Sequence, residues 1–130
     1  MSPRHLLIVA HGSRRQASNE EVRRLAERVR DLRSPGIDHV EPAFLELAEP
    51  DIPAGLERCV ALGAGEIVLF PYFLAAGTHV AEDIPEAVAA FRARHPDVMV
   101  RVTGHLGASE ALPRAILEVA ATQEPVRQGA

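Results

Sequence analysis

Two histidines and one carboxylate occur along this sequence at positions that suit metal chemistry. His11 and Glu46 each close a short apolar run, and His79 follows a glycine loop after a third run. Neutral imidazole binds Co²⁺, Ni²⁺, Fe²⁺ and Zn²⁺, and a carboxylate compensates their charge. Three protein ligands leave coordination positions open, whereas a structural zinc site is normally closed by four. The set therefore favours a site that takes up and releases a divalent ion.

Each of these residues also has an ordinary interpretation. His11 could cap the following helix or bind an anion there, His79 could be a solvated loop residue, and Glu46 could be a surface carboxylate. They converge only if each follows a strand of one parallel sheet, where ligands bind outside the carboxyl ends of the strands. His105 follows a fourth run and stays an open candidate. The remaining histidines fall near strand starts or a helix end and are interpreted as structural or solvated: His5, His39 and His95.

Neighbouring residues have a composition that could bind a flat, acidic ligand. Arg14 and Arg15 could recognise carboxylates through charge-assisted hydrogen bonds, or could simply be solvated at a helix start. Tyr72, Phe73 and Leu74 could form an apolar wall, although core packing explains at least one of them equally well. Elsewhere, Cys59 fits an apolar helix face and is interpreted as a small buried hydrophobe.

The elements that must position these residues follow from the alternation of apolar runs with helix-period segments. The runs predict buried strands, and the segments between them predict helices, the first with Ser18 and Glu21 as a possible capping box. Pro42 lies in the second strand, which indicates an edge strand. The order βαβαβαβα predicts an α/β fold in three layers, a four-stranded parallel sheet flanked by helices. The strands are expected at Leu6–Ala10, about His39–Leu47, Glu66–Phe70 and Val98–Val102.

Composition bounds the remaining possibilities. The length of 130 residues predicts one domain, at 1–122, followed by a polar tail at 123–130. The net charge of −4 argues against nucleic-acid or membrane-surface binding. All 14 cationic side chains are Arg, which excludes Schiff-base and P-loop lysines. The single cysteine excludes an internal disulfide and a cysteine-only metal centre. No signal peptide or membrane span is evident, so a cytoplasmic location is expected.

Four segments together resemble the small, single-domain form of the sirohydrochlorin chelatase family: Leu7–Arg14, Phe44–Pro50, Val68–Leu74 and Gly77–His79. The resemblance covers Leu6 to about Leu117. It implies a chelatase-like fold, half of a flavodoxin-like arrangement, and an ATP-independent class II chelatase, a lyase of cobalamin or siroheme biosynthesis. Such an enzyme inserts Co²⁺ as the first choice, or Fe²⁺ or Ni²⁺, into sirohydrochlorin. The metal is a substrate, and no permanently bound cofactor is expected.

The resemblance also implies roles for particular residues and for a second copy of the chain. The family's two metal-site histidines fall on His11 and His79, and its acidic residue falls on Glu46. Longer relatives carry two such domains, so this chain is expected to form a homodimer. The residues that we assign to tetrapyrrole binding are Ser13, Arg14, Tyr72, Phe73 and Thr78.

Two other functions stay open. A non-catalytic metal or tetrapyrrole carrier would bind the same ligands without accelerating insertion. A histidine phosphatase would also place a histidine after its first strand, but that chemistry needs an arginine directly before it, where Ala10 stands here.

Overall fold

A computed structural model of the chain describes residues 2–75 and 77–126, except for the side chains of His79 and Val80. Strands and helices alternate along the chain, and a short 3₁₀ helix at Leu106–Ala108 precedes the last helix. The strands are β1 (Arg4–Ala10), β2 (His39–Phe44), β3 (Glu66–Pro71) and β4 (Met99–Val102). The helices are α1 (Gln16–Asp31), α2 (Ile52–Ala61), α3 (Thr78–Arg94) and α4 (Ala111–Ala121).

All four strands belong to one parallel sheet with the order β2-β1-β3-β4. β1 lies between two neighbours, with Leu7 opposite Glu41 on β2 and opposite Leu69 on β3. β2 forms an edge, which confirms the prediction made from Pro42, because the missing N–H of a proline is tolerated there. Parallel strands bring their carboxyl ends to the same edge of the sheet, so the segments that follow all four strands meet there.

Apolar residues are buried on both faces of the sheet, which makes three layers. On one face, α2 and α3 cover β1 and β3, and Leu56, Phe91 and Leu69 are fully buried between them. On the other face, α1 packs Ala26 against Ile8 and Val40. The predicted α/β architecture is therefore confirmed. Since a βαβ connection must cross a face of the sheet, each helix brings the chain back to start the next parallel strand.

The ends of several elements differ from the predictions. β2 ends at Phe44 instead of Leu47, and Leu47 itself has a φ of 65°, outside the extended conformation. The predicted capping box at Ser18 is wrong, since α1 begins at Gln16. The turn before α1 is closed instead by Ser13, whose Oγ accepts a hydrogen bond from the N–H of Arg15 at 3.0 Å. By contrast, Asp51 caps α2, since its side chain accepts a hydrogen bond from the N–H of Ala54 at 2.9 Å.

α4 is the least covered element of the fold. Ile116, Leu117 and Val119 are 58%, 69% and 72% exposed, and the contacts of this helix are concentrated on the 3₁₀ helix before it. A helix with an apolar face normally buries that face.

Among the described residues, no helix is long and apolar enough to cross a membrane.

Candidate functional site

The candidate site lies at the carboxyl edge of the sheet, where the segments that follow the strands meet. His11–Ser13 follow β1 and lead into α1, and Leu45–Pro50 follow β2 and lead into α2. Tyr72 and Phe73 follow β3, and His105 follows β4. Residues 11–13 form the first loop of the site, and residues 45–50 form the second loop.

Backbone hydrogen bonds join the first loop to the second. The N–H of Leu45 donates to the carbonyl oxygen of Ala10 at 2.9 Å, and the N–H of Glu46 donates to that of His11 at 3.1 Å. The two loops thus continue the pairing of β1 with β2 beyond the strands. This pairing brings His11 and Glu46, which lie far apart in the sequence, to adjacent positions at the edge of the sheet. Their proximity was predicted from the alternation of strands and helices.

Gly12 allows the two loops to approach this closely. Its φ is 89°, in the left-handed region that side chains rarely adopt. A Cβ at this position would overlap the carbonyl oxygen of Glu46. A glycine is therefore required here for two independent reasons, its backbone conformation and the contact with the second loop.

The imidazole of His11 is exposed and packs on one aromatic ring. It meets Phe73 edge-on, with the ring centroids 4.6 Å apart. Phe73 is only 5% exposed, and its backbone is fixed because its carbonyl oxygen accepts a hydrogen bond from the N–H of Gly107 at 2.9 Å. A Cβ on Gly107 would overlap the carbonyl oxygen of Leu74, so the 3₁₀ helix packs directly on the backbone of this segment. His11 therefore rests on a rigid support while its ring stays open to solvent.

Two clefts flank the paired loops. One, of about 440 Å³, is lined by residues of the first loop, α1 and the segment after β3, including His11, Asn19 and Tyr72. The other, of about 610 Å³, is lined mainly by the second loop, including the exposed Glu46. His11 and Glu46 therefore line two different clefts, although their backbones are paired.

The third predicted ligand, His79, lies in the first turn of α3, directly after Thr78. Its side chain falls outside the described part of the structure, so a complete triad stays a prediction. Within that described part, no three His, Cys, Asp or Glu side chains form a group that could hold a metal ion. The fold pairs the backbones of His11 and Glu46, and it carries the backbone of His79 on the helix that follows β3.

The residues assigned to tetrapyrrole binding have different environments. Ser13 is partly buried and belongs to the turn before α1, whereas Arg14 is exposed beside it. Tyr72 and Phe73 line the same cleft as His11, but Phe73 is buried and also serves the core. Thr78 is exposed at the start of α3.

Among the other histidines, His105 lies at the carboxyl edge of the sheet and the rest lie elsewhere. His105 is partly buried at the carboxyl edge, where it precedes the 3₁₀ helix. At the opposite edge, the rings of His5 and His39 are 5.2 Å apart, and Nε2 of His39 lies 2.9 Å from the carboxylate of Glu41. Nε2 of His95 lies 2.9 Å from the carboxylate of Glu57. The interpretation of these three as structural or solvated agrees with their positions.

The carboxylates with perturbed acidity lie at that opposite edge as well. Hydrogen bonds from Arg101 and Arg4 hold the pKa of Glu66 below its ordinary value. Burial acts to raise the pKa of Glu41, but hydrogen bonds from His39 and Arg58 outweigh it and lower that pKa. The paired ions therefore tie together the amino ends of the strands and leave Glu46 outside their network.

Sequence reasoning missed Asn19, which contacts the first loop. Its side chain is 1% exposed and hydrogen bonds to the backbone of Ser13 in the first loop. A signal was available, because Asn19 lies on the buried face of α1 in helical spacing with Val22 and Ala26. A polar residue on such a face needs a hydrogen-bond partner, and that partner is often a neighbouring loop.

Comparison with known families decides the relationship. A family model described as CbiX matches residues 5–123. The chain belongs to the CbiX family. The resemblance inferred from the four sequence segments is thereby confirmed, since relatives of this CbiX chain carry sirohydrochlorin chelatase names. The chain is 32% identical over 111 residues to the sirohydrochlorin ferrochelatase of Bacillus subtilis. The aligned region covers 85% of this chain and 42% of that protein.

Other relatives of the CbiX chain differ in the metal that they are named for. A sirohydrochlorin cobaltochelatase of Methanococcus aeolicus is 38% identical over 81 residues, 62% of this chain and 55% of that one. The chain thus spans about half the length of these curated relatives.

Solved CbiX-type structures show the same fold. A CbiX protein from Marinobacter aquaeolei VT8 superposes with a TM-score of 0.77 at 30% identity, over 92% of this chain and 95% of that one. The sirohydrochlorin chelatase SirB of Bacillus subtilis subspecies spizizenii, in complex with cobalt, superposes with a TM-score of 0.79 at 31% identity. That match covers 92% of this chain and 50% of SirB.

Proposed function

We propose that this protein inserts a divalent metal ion into sirohydrochlorin without ATP. The observation that carries the proposal is the hydrogen bond from the N–H of Glu46 to the carbonyl oxygen of His11, at 3.1 Å, because it joins the two loops that bear an imidazole and a carboxylate. The names of the relatives support the substrate, since they include sirohydrochlorin ferrochelatases and cobaltochelatases. Co²⁺ is the first choice of metal, and Fe²⁺ or Ni²⁺ are the alternatives.

The chemistry of insertion matches these groups. The metal must first be held weakly enough to be released. Two N–H protons of the macrocycle must then leave as its four nitrogens bind the ion, and the bonds from the ion to the protein must break. His11, Glu46 and His79 would hold the ion, since imidazole and carboxylate are both ligands for such metals. The same groups are also bases, so they can accept the protons that the macrocycle loses. The metal is a substrate in this scheme, and no resident cofactor takes part.

The clefts beside the paired loops support tetrapyrrole binding. Tyr72 and Phe73 would contact a face of the macrocycle, while Ser13, Arg14 and Thr78 would bind its carboxylates through hydrogen bonds. Arg14 suits this role because it is exposed and lies three residues after His11 in the sequence, and a guanidinium binds a carboxylate in a bidentate manner.

A second copy of this chain completes the proposed enzyme. The chain spans about half of SirB and of the curated relatives, so two copies would supply the length of one relative. The uncovered apolar face of α4 supports the same conclusion, because a partner subunit would bury Ile116 and Val119. Light scattering should show a dimer, and Val119→Glu should shift it toward the monomer. A monomer with full activity at assay concentration would contradict this part of the proposal.

A cytoplasmic location also belongs to the proposal, and cell fractionation tests it.

An insertion assay tests the function directly. The absorbance of sirohydrochlorin is followed with Co²⁺, Fe²⁺ or Ni²⁺, with and without the protein. Acceleration above the uncatalysed rate is expected, and His11→Ala should abolish most of it. Binding of metal and tetrapyrrole without acceleration would indicate a carrier. Hydrolysis of an aryl phosphate without insertion would indicate a phosphatase.

A further inference from the structure

The helix that follows the first loop contacts both loops of the site. Asn19, near the start of α1, forms hydrogen bonds to one residue of the first loop through both the oxygen and the nitrogen of its side-chain amide. Its Oδ1 accepts a hydrogen bond from the N–H of Ser13 at 2.9 Å, and its Nδ2 donates to the carbonyl oxygen of Ser13 at 2.8 Å. Because Asn19 is 1% exposed, water does not compete for these hydrogen bonds. The backbone two residues after His11 is therefore fixed to α1.

Arg23, one helical turn later, contacts the second loop. Residues four apart lie on the same side of a helix, so Arg23 follows Asn19 along one side of α1. Its Nη2 donates to the carbonyl oxygen of Glu49 at 2.9 Å, and its guanidinium carbon lies 5.2 Å from the centre of the Phe44 ring. Phe44 ends β2 just before the second loop, and Glu49 is near the end of that loop. Arg23 thus contacts the chain on both sides of Glu46.

We propose that Asn19 and Arg23 are positioning residues that hold the loops of His11 and Glu46 at a fixed separation. Neither residue is among the predicted metal ligands. The inference rests on the proposed function and extends it, since it assigns the geometry of the site to a pair of residues on one helix. The backbone hydrogen bond between Glu46 and His11 lies between the loop contacts made by Asn19 and Arg23. These contacts would hold both loops in place around it.

Co²⁺ affinity, measured by calorimetry on the full chain, tests this assignment. Asn19→Ala and Arg23→Gln should each weaken Co²⁺ binding by about 10–100-fold, the usual effect of losing a residue that orients metal ligands. Arg23→Lys keeps one donor for the carbonyl of Glu49 and should recover part of the affinity. Asn19→Asp keeps the acceptor for the N–H of Ser13 and loses the donor, so it should fall between Asn19→Ala and the native protein.

Arg24→Gln is the matched control. Arg24 neighbours Arg23 on α1, is exposed, and makes no side-chain hydrogen bond with any residue that the structure describes. It should bind Co²⁺ as the native protein does. If Asn19→Ala and Arg23→Gln are merely less stable, their melting temperatures fall while their Co²⁺ affinities, measured well below melting, equal that of the control. That result would overturn the proposal.

Hydrogen exchange of the Glu46 amide provides a readout that needs no metal. If Arg23 holds the second loop in place, the Glu46 amide should exchange at least 10-fold faster in Arg23→Gln than in Arg24→Gln, although Arg23 does not contact this amide directly. Equal rates would refute the proposal even if the protein bound no cobalt. A native protein that shows the expected exchange pattern but inserts no metal would instead contradict only the proposed function.

Discussion

Gly12 and Glu46 are in backbone contact so close that a methyl group on Gly12 would overlap the carbonyl oxygen of Glu46. Gly12→Ala should therefore separate the two loops and break the hydrogen bond between Glu46 and His11. A side chain in the left-handed region costs about 1–3 kcal/mol, and the overlap adds to this cost. Urea unfolding should show a loss at the upper end of that range or above it, together with loss of metal insertion.

Gly104→Ala is the control for this prediction. Gly104 has no described atom within 4 Å of a Cβ and no positive φ. Its substitution should change stability by no more than about 0.5 kcal/mol, as is usual for surface positions. Equal effects of the two substitutions would show that the loops do not depend on their contact at Gly12.

Glu46→Gln should slow metal insertion while leaving the fold intact. Gln keeps the shape of the side chain but removes its charge and its basicity. Because Glu46 is exposed, its effect on stability should stay within about 0.5 kcal/mol. Calorimetry then separates two roles: weaker Co²⁺ affinity indicates a ligand, and unchanged affinity with slow insertion indicates a base. Glu27→Gln, which removes an exposed charge from α1, is the control, and insertion at the same rate in both variants would exclude Glu46 from the site.

The buried His5 should make stability fall at mildly acidic pH. Burial lowers the pKa of His5 below its ordinary value of 6.5, and the neighbouring His39 lowers it further, while Asp38 and Glu41 oppose the shift. As the pH falls, the unfolded chain therefore takes up a proton at His5 at a higher pH than the folded chain does. The contribution of His5 to the free energy of unfolding is complete above pH 6.5 and declines as the pH falls below that value.

The variant His5→Phe removes this contribution. Urea unfolding at a series of pH values should give a flatter profile for His5→Phe than for the native protein between neutral pH and about pH 5, above the range in which carboxylates are protonated. Parallel profiles for the native protein and His5→Phe would mean that His5 does not titrate differently on folding.

Cys59 should be inert toward thiol reagents in the native protein. It is fully buried, and burial raises its pKa to about 12, so the reactive thiolate is absent at neutral pH. A disulfide reagent should label it only on the timescale of unfolding, and at once in denaturant. Fast labelling under native conditions would show that α2 opens locally.

Periodicity predicted the elements of this fold well, because α1, α2 and α3 pack on the sheet with their apolar faces and the interior strands are buried. Leu69 and Phe91 could be assigned to the core from spacing alone, and Pro42 placed β2 at an edge. The ends of elements depend on local side-chain hydrogen bonds, which spacing does not encode. Ser13, not Ser18, closes the turn before α1, and no apolar pattern distinguishes the two serines.

The candidate site was predictable only as far as topology determines it. The return of the chain after each strand predicts that His11 and Glu46 share an edge, and the structure pairs their backbones. The supporting contacts depend on how far the side chains of Asn19 and Arg23 extend from α1 to the two loops, and neither residue is part of a sequence motif. Topology therefore predicted where the candidate ligands lie in the fold, but it did not predict the residues that contact their loops.

The strand order has a consequence for how the chain folds as it is synthesised. β1 is made first, yet it needs neighbours on both sides, and contacts of Arg4 with Asp38 and Glu66 span 34 and 62 residues. Such distant parallel pairing is slow to form and leaves apolar strands exposed in the meantime. On the ribosome, Leu7 and Val9 must wait for β3 to emerge before they are enclosed. During that interval the nascent chain is open to aggregation, and early chaperone contact would favour its correct folding.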